Sequence, residues 1–195
     1  AASDVYKRQT VFSPEIVRYK TLEDGDSLAL HIFKPRNMQA GEKRPAIVYF
    51  FGGGWKLGSP IQFYRECAYY ASKGMIAVSV DYRIGYLHHS TPFESFEDAK
   101  DAICWLRSHA SDYQLDPDKI AVAGGSAGGH LAAALGTIGS DETVPAGYRP
   151  NLSVLYYPVI DMVSRGYGFP EIKRDFEKIS PIHHVSEATP STLIL

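Results

Sequence analysis

Cysteine is rare in this sequence, which holds two residues of this type, Cys67 and Cys104. Two thiols form neither a disulfide framework nor a four-ligand zinc site, so no metal site is predicted. Both fall in segments with helical spacing, and we predict that both are buried, unpaired thiols. Long apolar runs are missing as well. A run such as Ala46–Phe51 is far too short to cross a bilayer, so no membrane span is predicted.

The sequence also lacks an excess of charge of either sign. Twenty Lys and Arg residues stand against 22 Asp and Glu residues, which gives a net charge of -2. Because no basic field is available to hold a phosphate backbone, we expect no nucleic-acid partner. A hydrophobic content of 45% excludes a disordered or fibrous chain, and 195 residues are enough for one domain with a sizeable core.

The two ends of the chain lack the marks of natural termini. There is no initiator Met and no signal peptide, and residues 1–11 are interpreted as a non-native or disordered leader. Residues 12–195 are predicted to form the domain. The segment Ser191–Leu195 has the pattern of a strand that stops partway, so we expect the domain to be incomplete at its carboxy terminus. The compartment stays unknown, with cytoplasmic and secreted locations both open.

Strand and helix patterns alternate along the chain. Alternating segments at Val17–Leu22 and Leu28–Phe33 flank the turn signal Asp24-Gly25 and predict an antiparallel hairpin. Continuous apolar runs predict strands buried on both faces. These runs are Ile47–Phe51, Met75–Val80, Ile120–Ala123, Leu152–Tyr156 and the interrupted Thr192–Leu195. Helical spacing predicts helices over Phe63–Lys73, Phe96–Ala110 and Leu131–Leu135. The predicted fold class is α/β, with a mostly parallel sheet flanked by helices and its last strands missing.

A catalytic serine is predicted by the run Gly124-Gly125-Ser126-Ala127-Gly128, which fits G-x-S-x-G between a strand and a helix. A sharp turn there lifts the hydroxyl of Ser126 clear of the sheet, and the glycines let neighbouring backbone pass without Cβ clashes. The same turn aims the Ala127 N–H at the substrate oxygen. The glycine spacing does not match G-x-G-x-x-G and no P-loop Lys follows, which argues against a phosphate-binding loop.

A second glycine run, Gly52-Gly53-Gly54-Trp55, follows the first buried strand. An acyl-transfer enzyme must stabilise an oxyanion, and backbone N–H groups of a glycine loop can do so. We predict that Gly52 and Gly53 contribute to an oxyanion hole together with Ala127. The alternative is a tight turn without a ligand. Trp55 is interpreted as a packing residue rather than a substrate platform.

Taken together, these runs and the segment Asp81-Tyr82-Arg83 resemble the α/β-hydrolase fold. More narrowly, the chain is similar to hormone-sensitive-lipase-like and acetyl-xylan- or feruloyl-esterase-like bacterial carboxylesterases, over about residues 12–195. Many members of that group have His where this chain has Phe51. Since that His helps to order the oxyanion loop and donates no N–H to the oxyanion, the difference affects the subgroup more than the mechanism.

The resemblance implies a triad in the chain order Ser, acid, His. It places the acid just after the strand that begins near Thr192 and the His further on, so both are expected beyond Leu195. Asp161 follows the fourth buried strand, where some α/β-hydrolases carry the acid, and stays an alternative. Four histidines on the catalytic side or before the last strand stay alternatives for the base: His88, His89, His183 and His184.

The remaining titratable residues are interpreted as structural. His130 lies one helical turn below Ser126, where its ring does not reach the hydroxyl. Asp81 is predicted to pair with Arg83 or to cap a turn. Two further acidic residues are placed on the solvated face of the amphipathic helix: Asp98 and Asp101.

The predicted function is that of a serine hydrolase that cleaves carboxylic esters without cofactor or metal. Short acyl esters, or esters attached to a polysaccharide, are the substrates that the resemblance alone implies. A serine peptidase of the same fold and a non-catalytic binding protein on the same scaffold stay open. A binding protein would have no use for a strained serine. Without the acid and the His, the 195-residue chain itself is predicted to be nearly inactive.

Overall fold

The computed structural model describes residues 13–139, 146–163, 172 and 175–195, and the predicted leader at residues 1–11 lies outside them. Among these residues, seven strands form one sheet. They are β1 (Glu15–Thr21), β2 (Ser27–Phe33), β3 (Arg44–Phe50), β4 (Ile76–Val80), β5 (Leu115–Gly125), β6 (Leu152–Tyr156) and β7 (Ser191–Ile194). Their order across the sheet is β1-β2-β4-β3-β5-β6-β7.

Strand direction follows the hydrophobic patterns of the sequence. The strands β4, β3, β5, β6 and β7 are parallel neighbours, and β3 and β4 are buried over most of their length, as their continuous apolar runs predict. The prediction of burial on both faces is wrong for β6, which is buried at only two of its five residues, and for β7, whose four residues are all exposed because it is the edge strand of the sheet. The alternating strands β1 and β2 form the predicted antiparallel hairpin, and β2 joins the sheet by antiparallel pairing with β4. The predicted α/β class with its amino-terminal hairpin is therefore confirmed.

Four α-helices connect these strands within the described residues: α1 (Tyr64–Ser72), α2 (Gly85–His88), α3 (Pro92–Ser108) and α4 (Ala127–Thr137). Helix α1 follows a 3-10 turn at Pro60–Phe63, so the predicted helix start at Phe63 is close to the observed one. Helix α3 begins four residues before its prediction because Thr91 and Glu94 form a capping box and Pro92 occupies the first turn.

Helix α4 carries the site described below and is buried over its whole length. Its side chains are mostly small, which lets the helix backbone approach the sheet closely. It packs against β5, β6 and β3. The helix is longer than the predicted Leu131–Leu135 because glycines continue it back to Ala127.

The prediction that Asp98 lies on a solvated face is wrong. Its carboxylate is fully buried and accepts hydrogen bonds from Arg83 Nε at 2.8 Å and from Lys20 Nζ at 2.6 Å. Asp98 lies on the face of α3 that packs towards the hairpin, where two cations neutralise it. Asp101 is half exposed, in agreement with its predicted solvated position, and it forms a second salt bridge with the Lys20 side chain that also binds Asp98.

Arg83 therefore pairs with Asp98 and not with Asp81, contrary to one of the two predicted roles of Asp81. The backbone carbonyl of Asp81 accepts a hydrogen bond from the hydroxyl of Tyr19 at 2.7 Å. Burial raises the pKa of the Asp81 carboxyl to about 6. The cysteine prediction is half right, since Cys67 is buried and Cys104 is exposed.

Candidate active site

The turn between β5 and α4 places Ser126 in a strained backbone conformation. Its φ is 54° and its ψ is -117°, in the left-handed region that non-glycine residues rarely adopt. The Ser126 N–H donates to the carbonyl oxygen of Tyr156 at 3.0 Å, and its carbonyl accepts from the His130 N–H at 2.9 Å. The residue as a whole is only partly buried. The sharp strand-to-helix turn is where the sequence predicts it.

Steric crowding explains the glycines on both sides of this turn. A Cβ added at Gly128 would lie 2.0 Å from the carbonyl oxygen of Phe50, and one added at Gly124 would lie 2.3 Å from the carbonyl oxygen of Gly128. Both contacts are with backbone, which cannot move aside as the end of a side chain can. The three backbone segments therefore meet closely only because these positions carry no side chain.

Ala127 is the first residue of α4, so its N–H has no partner within the helix. The amino-terminal end of a helix carries a partial positive charge, which favours an anion at this point. This N–H is thus a suitable donor to an oxyanion beside Ser126.

The glycine loop that follows β3 lies directly against the turn. A Cβ added at Gly52 would lie 3.5 Å from the Cβ of Ser126 and 2.9 Å from the carbonyl oxygen of Gly125. At Gly53 the backbone has a φ of 141°, and an added Cβ would lie 1.9 Å from the carbonyl oxygen of Leu57. The two glycine runs that the sequence singles out are therefore neighbours in space.

Gly52 and Gly53 differ in the state of their amides. The Gly52 N–H donates to Gln62 Oε1 at 2.7 Å, so this donor is already engaged. Among the described residues, no protein acceptor is recorded for the Gly53 N–H. Of the two glycines predicted for the oxyanion hole, Gly53 therefore has the amide that is free of a described protein acceptor, whereas the amide of Gly52 is engaged. Sequence reasoning missed Gln62 because nothing in the spacing of ten residues indicates that its side chain returns to the loop.

Aromatic packing holds the glycine loop in place. The ring of Phe51 stacks on Tyr82 with centroids 4.1 Å apart and an interplanar angle of 15°. The Tyr82 hydroxyl donates to the Phe51 carbonyl oxygen at 2.6 Å. Trp55 is buried and meets the ring of His130 edge-on at 5.1 Å, which agrees with its predicted packing role.

His130 is placed for structure rather than for catalysis. It is completely buried on α4, and its Nε2 hydrogen-bonds the carbonyl oxygen of Ile179 at 2.7 Å. Burial disfavours the charged imidazole and lowers the pKa of His130 to about 4. A base must accept the proton from Ser126, and this ring is instead tied to the opposite side of the helix.

Four other histidines make side-chain contacts away from the turn, and one of them is His31, whose ring lies against Tyr64 with centroids 5.7 Å apart. His88 Nδ1 accepts from the Ile84 N–H at 3.0 Å, His109 stacks on Trp105, and His184 Nε2 contacts the carbonyl oxygen of Glu177. Within the described part of the chain, no histidine hydrogen-bonds the hydroxyl of Ser126.

Asp161, the alternative acid, is engaged locally. Its Oδ1 accepts a hydrogen bond from the Val163 N–H at 3.1 Å, which closes a turn after β6. Neither Asp161 nor any described histidine therefore completes a triad with Ser126 in the geometry observed.

Tyr157 is a second residue that sequence reasoning missed. It follows β6 directly, has a φ of 38°, and places its ring against Gly125, the residue before the serine. No sequence signal marks it, because an ordinary Tyr-Pro dipeptide does not reveal a positive φ.

Neither a metal-binding cluster nor a membrane-spanning helix is present among the described residues. No group of three or more His, Cys, Asp and Glu side chains there could hold a metal ion. No described helix is both long and apolar enough to cross a membrane.

A mostly parallel sheet, a strained serine between β5 and α4, and a glycine loop beside it define the α/β-hydrolase fold. The BD-FAE family model matches residues 30–195, and the chain belongs to this family. The resemblance to carboxylesterases seen in the sequence is confirmed by its relatives.

One such relative is the esterase LipC of Mycobacterium tuberculosis, which is 35% identical over 124 residues, 63% of this chain and 30% of LipC. Another is the thermophilic esterase Est2 of the planctomycete Thermogutta terrifontis. Its native structure has a TM-score of 0.85 and 36% identity, and the match covers 93% of this chain and 69% of Est2. The propionate-bound form of Est2 gives a TM-score of 0.84 at 35% identity, and the match covers 97% of this chain and 73% of Est2. The chain thus spans about a third of LipC and about seven tenths of Est2.

Proposed function

We propose that the protein to which this chain belongs is a serine hydrolase that cleaves carboxylic esters. The observation that carries the proposal is the strained Ser126, held beside the glycine loop with a partly exposed side chain. Strain of this kind costs about 1–3 kcal/mol and persists where the surrounding structure enforces it, commonly at functional sites. The esterase relatives support the same chemistry.

In the proposed reaction, Ser126 Oγ attacks the ester carbonyl and forms a tetrahedral intermediate. The N–H groups of Gly53 and Ala127 stabilise the oxyanion, and Gln62 holds Gly52 so that the next amide points to the site. A His takes the serine proton and returns it to the leaving alcohol, with an acid that orients the imidazole. We propose that this His and acid lie beyond Leu195, since no described histidine hydrogen-bonds the Ser126 hydroxyl, and the exposed His89 and His183, which stay alternatives for the base, make no side-chain contact with it. The reaction needs no metal or cofactor.

We propose a short acyl group as the preferred acid half of the ester. The support is the solved structure of Est2 with propionate bound, which shows that a relative with the same fold accommodates a short carboxylate. A polysaccharide hydroxyl as the alcohol half is suggested by the carboxylesterase resemblance alone.

The test uses the full-length protein with p-nitrophenyl acetate and a fluorophosphonate probe. We expect ester hydrolysis and labelling of Ser126, both lost in Ser126→Ala. Ser153→Ala is the matched control, because it removes a buried hydroxyl from β6 without touching the turn. Activity that survives Ser126→Ala would refute the nucleophile.

The same assay separates the two other candidate functions. A peptidase would cleave a peptide p-nitroanilide faster than the ester, and a binding protein would show neither hydrolysis nor labelling. Residues 1–195 alone should turn over p-nitrophenyl acetate negligibly. Vigorous Ser126-dependent turnover by this chain would show that the base lies within it.

A further inference from the structure

Tyr157 lies beside the nucleophile turn in a conformation that tyrosine rarely adopts. Its φ of 38° turns the side chain back towards β5. An added Cβ at Gly125 would lie 3.0 Å from the Tyr157 hydroxyl oxygen and 3.3 Å from two ring carbons. The ring therefore fills the space next to the residue that precedes Ser126, although 69% of the tyrosine surface stays exposed.

The segment around Tyr157 hydrogen-bonds both the N–H and the carbonyl group of Ser126. The carbonyl oxygen of Tyr156 accepts from the Ser126 N–H at 3.0 Å, and the Val159 N–H reaches the Ser126 carbonyl oxygen at 3.4 Å. The backbone N–H of Tyr157 is itself fixed, since it donates to the Leu195 carbonyl oxygen at 2.8 Å. Two residues with positive φ, Ser126 and Tyr157, are thus held against each other.

We propose that Tyr157 is a positioning residue that braces the nucleophile turn and fixes the direction of the Ser126 hydroxyl. The strained backbone of Ser126 tends to relax, and a ring packed against Gly125 blocks the movement that relaxation requires. The proposal rests on Ser126 being the nucleophile. It assigns to Tyr157 no contact with substrate and no proton transfer.

The first test compares Tyr157→Gly with Tyr157→Phe in the full-length protein. Glycine adopts a φ of 38° without strain, so Tyr157→Gly removes the ring and leaves the turn after β6 able to form. Because a displacement of about 1 Å can cost about 100-fold in rate, we expect kcat to fall by about 10- to 100-fold, with KM changed by less than about threefold. Tyr157→Phe keeps the ring and should retain most of the wild-type kcat.

The second test is a double-mutant cycle with Gly125→Ala. Gly125 has no positive φ, so alanine fits its backbone, and the three atoms nearest to the new methyl group all belong to the side chain of Tyr157. We expect Gly125→Ala to lower kcat in the wild-type background and to have little further effect in Tyr157→Gly. If the losses of kcat in the two single variants simply add in the double variant, the two positions act independently and the proposal that Tyr157 braces the turn is refuted.

A destabilised control separates positioning from stability. Tyr69 is exposed on α1 and its ring contacts Tyr70 and Lys73, so Tyr69→Gly weakens that helix without removing a contact of Ser126 or Tyr157. An equal loss of kcat in Tyr69→Gly would mean that the effect of Tyr157→Gly is general destabilisation, and the proposal would fail. It would also fail if Tyr157→Gly changed the ratio of p-nitrophenyl butyrate to acetate hydrolysis, since that result would make the ring a substrate-contacting wall.

Failure of the proposed function would look different. In that case the wild-type protein would show no hydrolysis that depends on Ser126, and the two tyrosine variants would have no activity to compare.

Discussion

Asp98→Ala removes the carboxylate that joins α3 to the hairpin and to the end of β4. The side chain is fully buried and accepts from Lys20 Nζ at 2.6 Å and from Arg83 Nε and Nη2 at 2.8 Å. The Arg83 backbone N–H adds a fourth bond at 2.9 Å. After the substitution two cations and one backbone amide lose this acceptor at the same point, while Lys20 keeps Asp101 and Arg83 keeps the carbonyl oxygen of Glu94.

The size of the effect follows from the exposure of the partners. Breaking a buried ion pair costs about 3–5 kcal/mol. The Lys20 and Arg83 side chains keep 22% and 23% of their surface exposed, so water partly compensates them and the lower end applies. We expect a loss of about 3 kcal/mol in the free energy of unfolding. With a urea m-value of about 2 kcal/mol per molar, the unfolding midpoint falls by about 1.5 M.

The assay is urea unfolding followed by tryptophan fluorescence, with Asp101→Ala as the control. Asp101 is 52% exposed and pairs with Lys20 alone, so its loss should cost about 0.5 kcal/mol. Asp98→Asn keeps the volume of the side chain but not its charge, so its loss in the free energy of unfolding should lie between those of Asp98→Ala and Asp101→Ala. If Asp98→Ala and Asp101→Ala shift the midpoint equally, the buried carboxylate does not stabilise the fold as argued.

Three further predictions concern the core, pH and thiols. In urea unfolding, Gly128→Ala should lower the free energy of unfolding by about 3 kcal/mol or more, because the added Cβ would lie 2.0 Å from the Phe50 carbonyl oxygen. A smaller loss of stability would mean that α4 can shift to make room. Burial lowers the pKa of His130 from 6.5 to about 4, so the unfolded chain takes up the proton first as the pH falls. The contribution of the neutral His130 to the free energy of unfolding is full above pH 6.5, and up to about 3 kcal/mol of it is lost between pH 6.5 and 4. Urea unfolding at several pH values should therefore show a smaller loss of stability in acid for His130→Gln than for the wild type. Iodoacetamide should modify Cys104 in the native protein and Cys67 only after unfolding, as mass spectrometry will show; early labelling of Cys67 would contradict its burial.

The parts of the fold that could be predicted are those that depend on local sequence. Continuous apolar runs identified the buried strands β3 and β4, and the alternating pattern of β1 and β2 identified the hairpin. The glycines at 124 and 128 predicted a close approach of neighbouring backbone. In the structure no other residue fits at either position, because a Cβ would lie about 2 Å from a carbonyl oxygen. The joint role predicted for the two glycine runs followed from the chemistry of acyl transfer, which needs backbone N–H groups around an oxyanion. The structure adds that both runs lie at the carboxyl ends of the parallel neighbours β3 and β5.

The parts that could not be predicted depend on partners distant in sequence. Asp98 has a polar side chain at an unremarkable helical position, and its burial follows from the arrival of Lys20, 78 residues earlier. The bond from Gly52 to Gln62 and the positive φ of Tyr157 likewise arise only when loops from different strands meet. Tertiary packing, not propensity, decides these features.

The stack of Phe51 on Tyr82 has a consequence for the acid tolerance of the site. An imidazole at position 51 would carry a group that can gain a proton in acid and change its hydrogen bonds, whereas a phenyl ring carries no titrating proton. Burial raises the pKa of the Tyr82 hydroxyl far above its ordinary value, so its bond to the Phe51 carbonyl persists in mildly alkaline solution as well. The anchoring of the glycine loop by this pair should therefore be the same in an acidic and in a weakly basic medium, and any pH optimum of the protein should originate elsewhere.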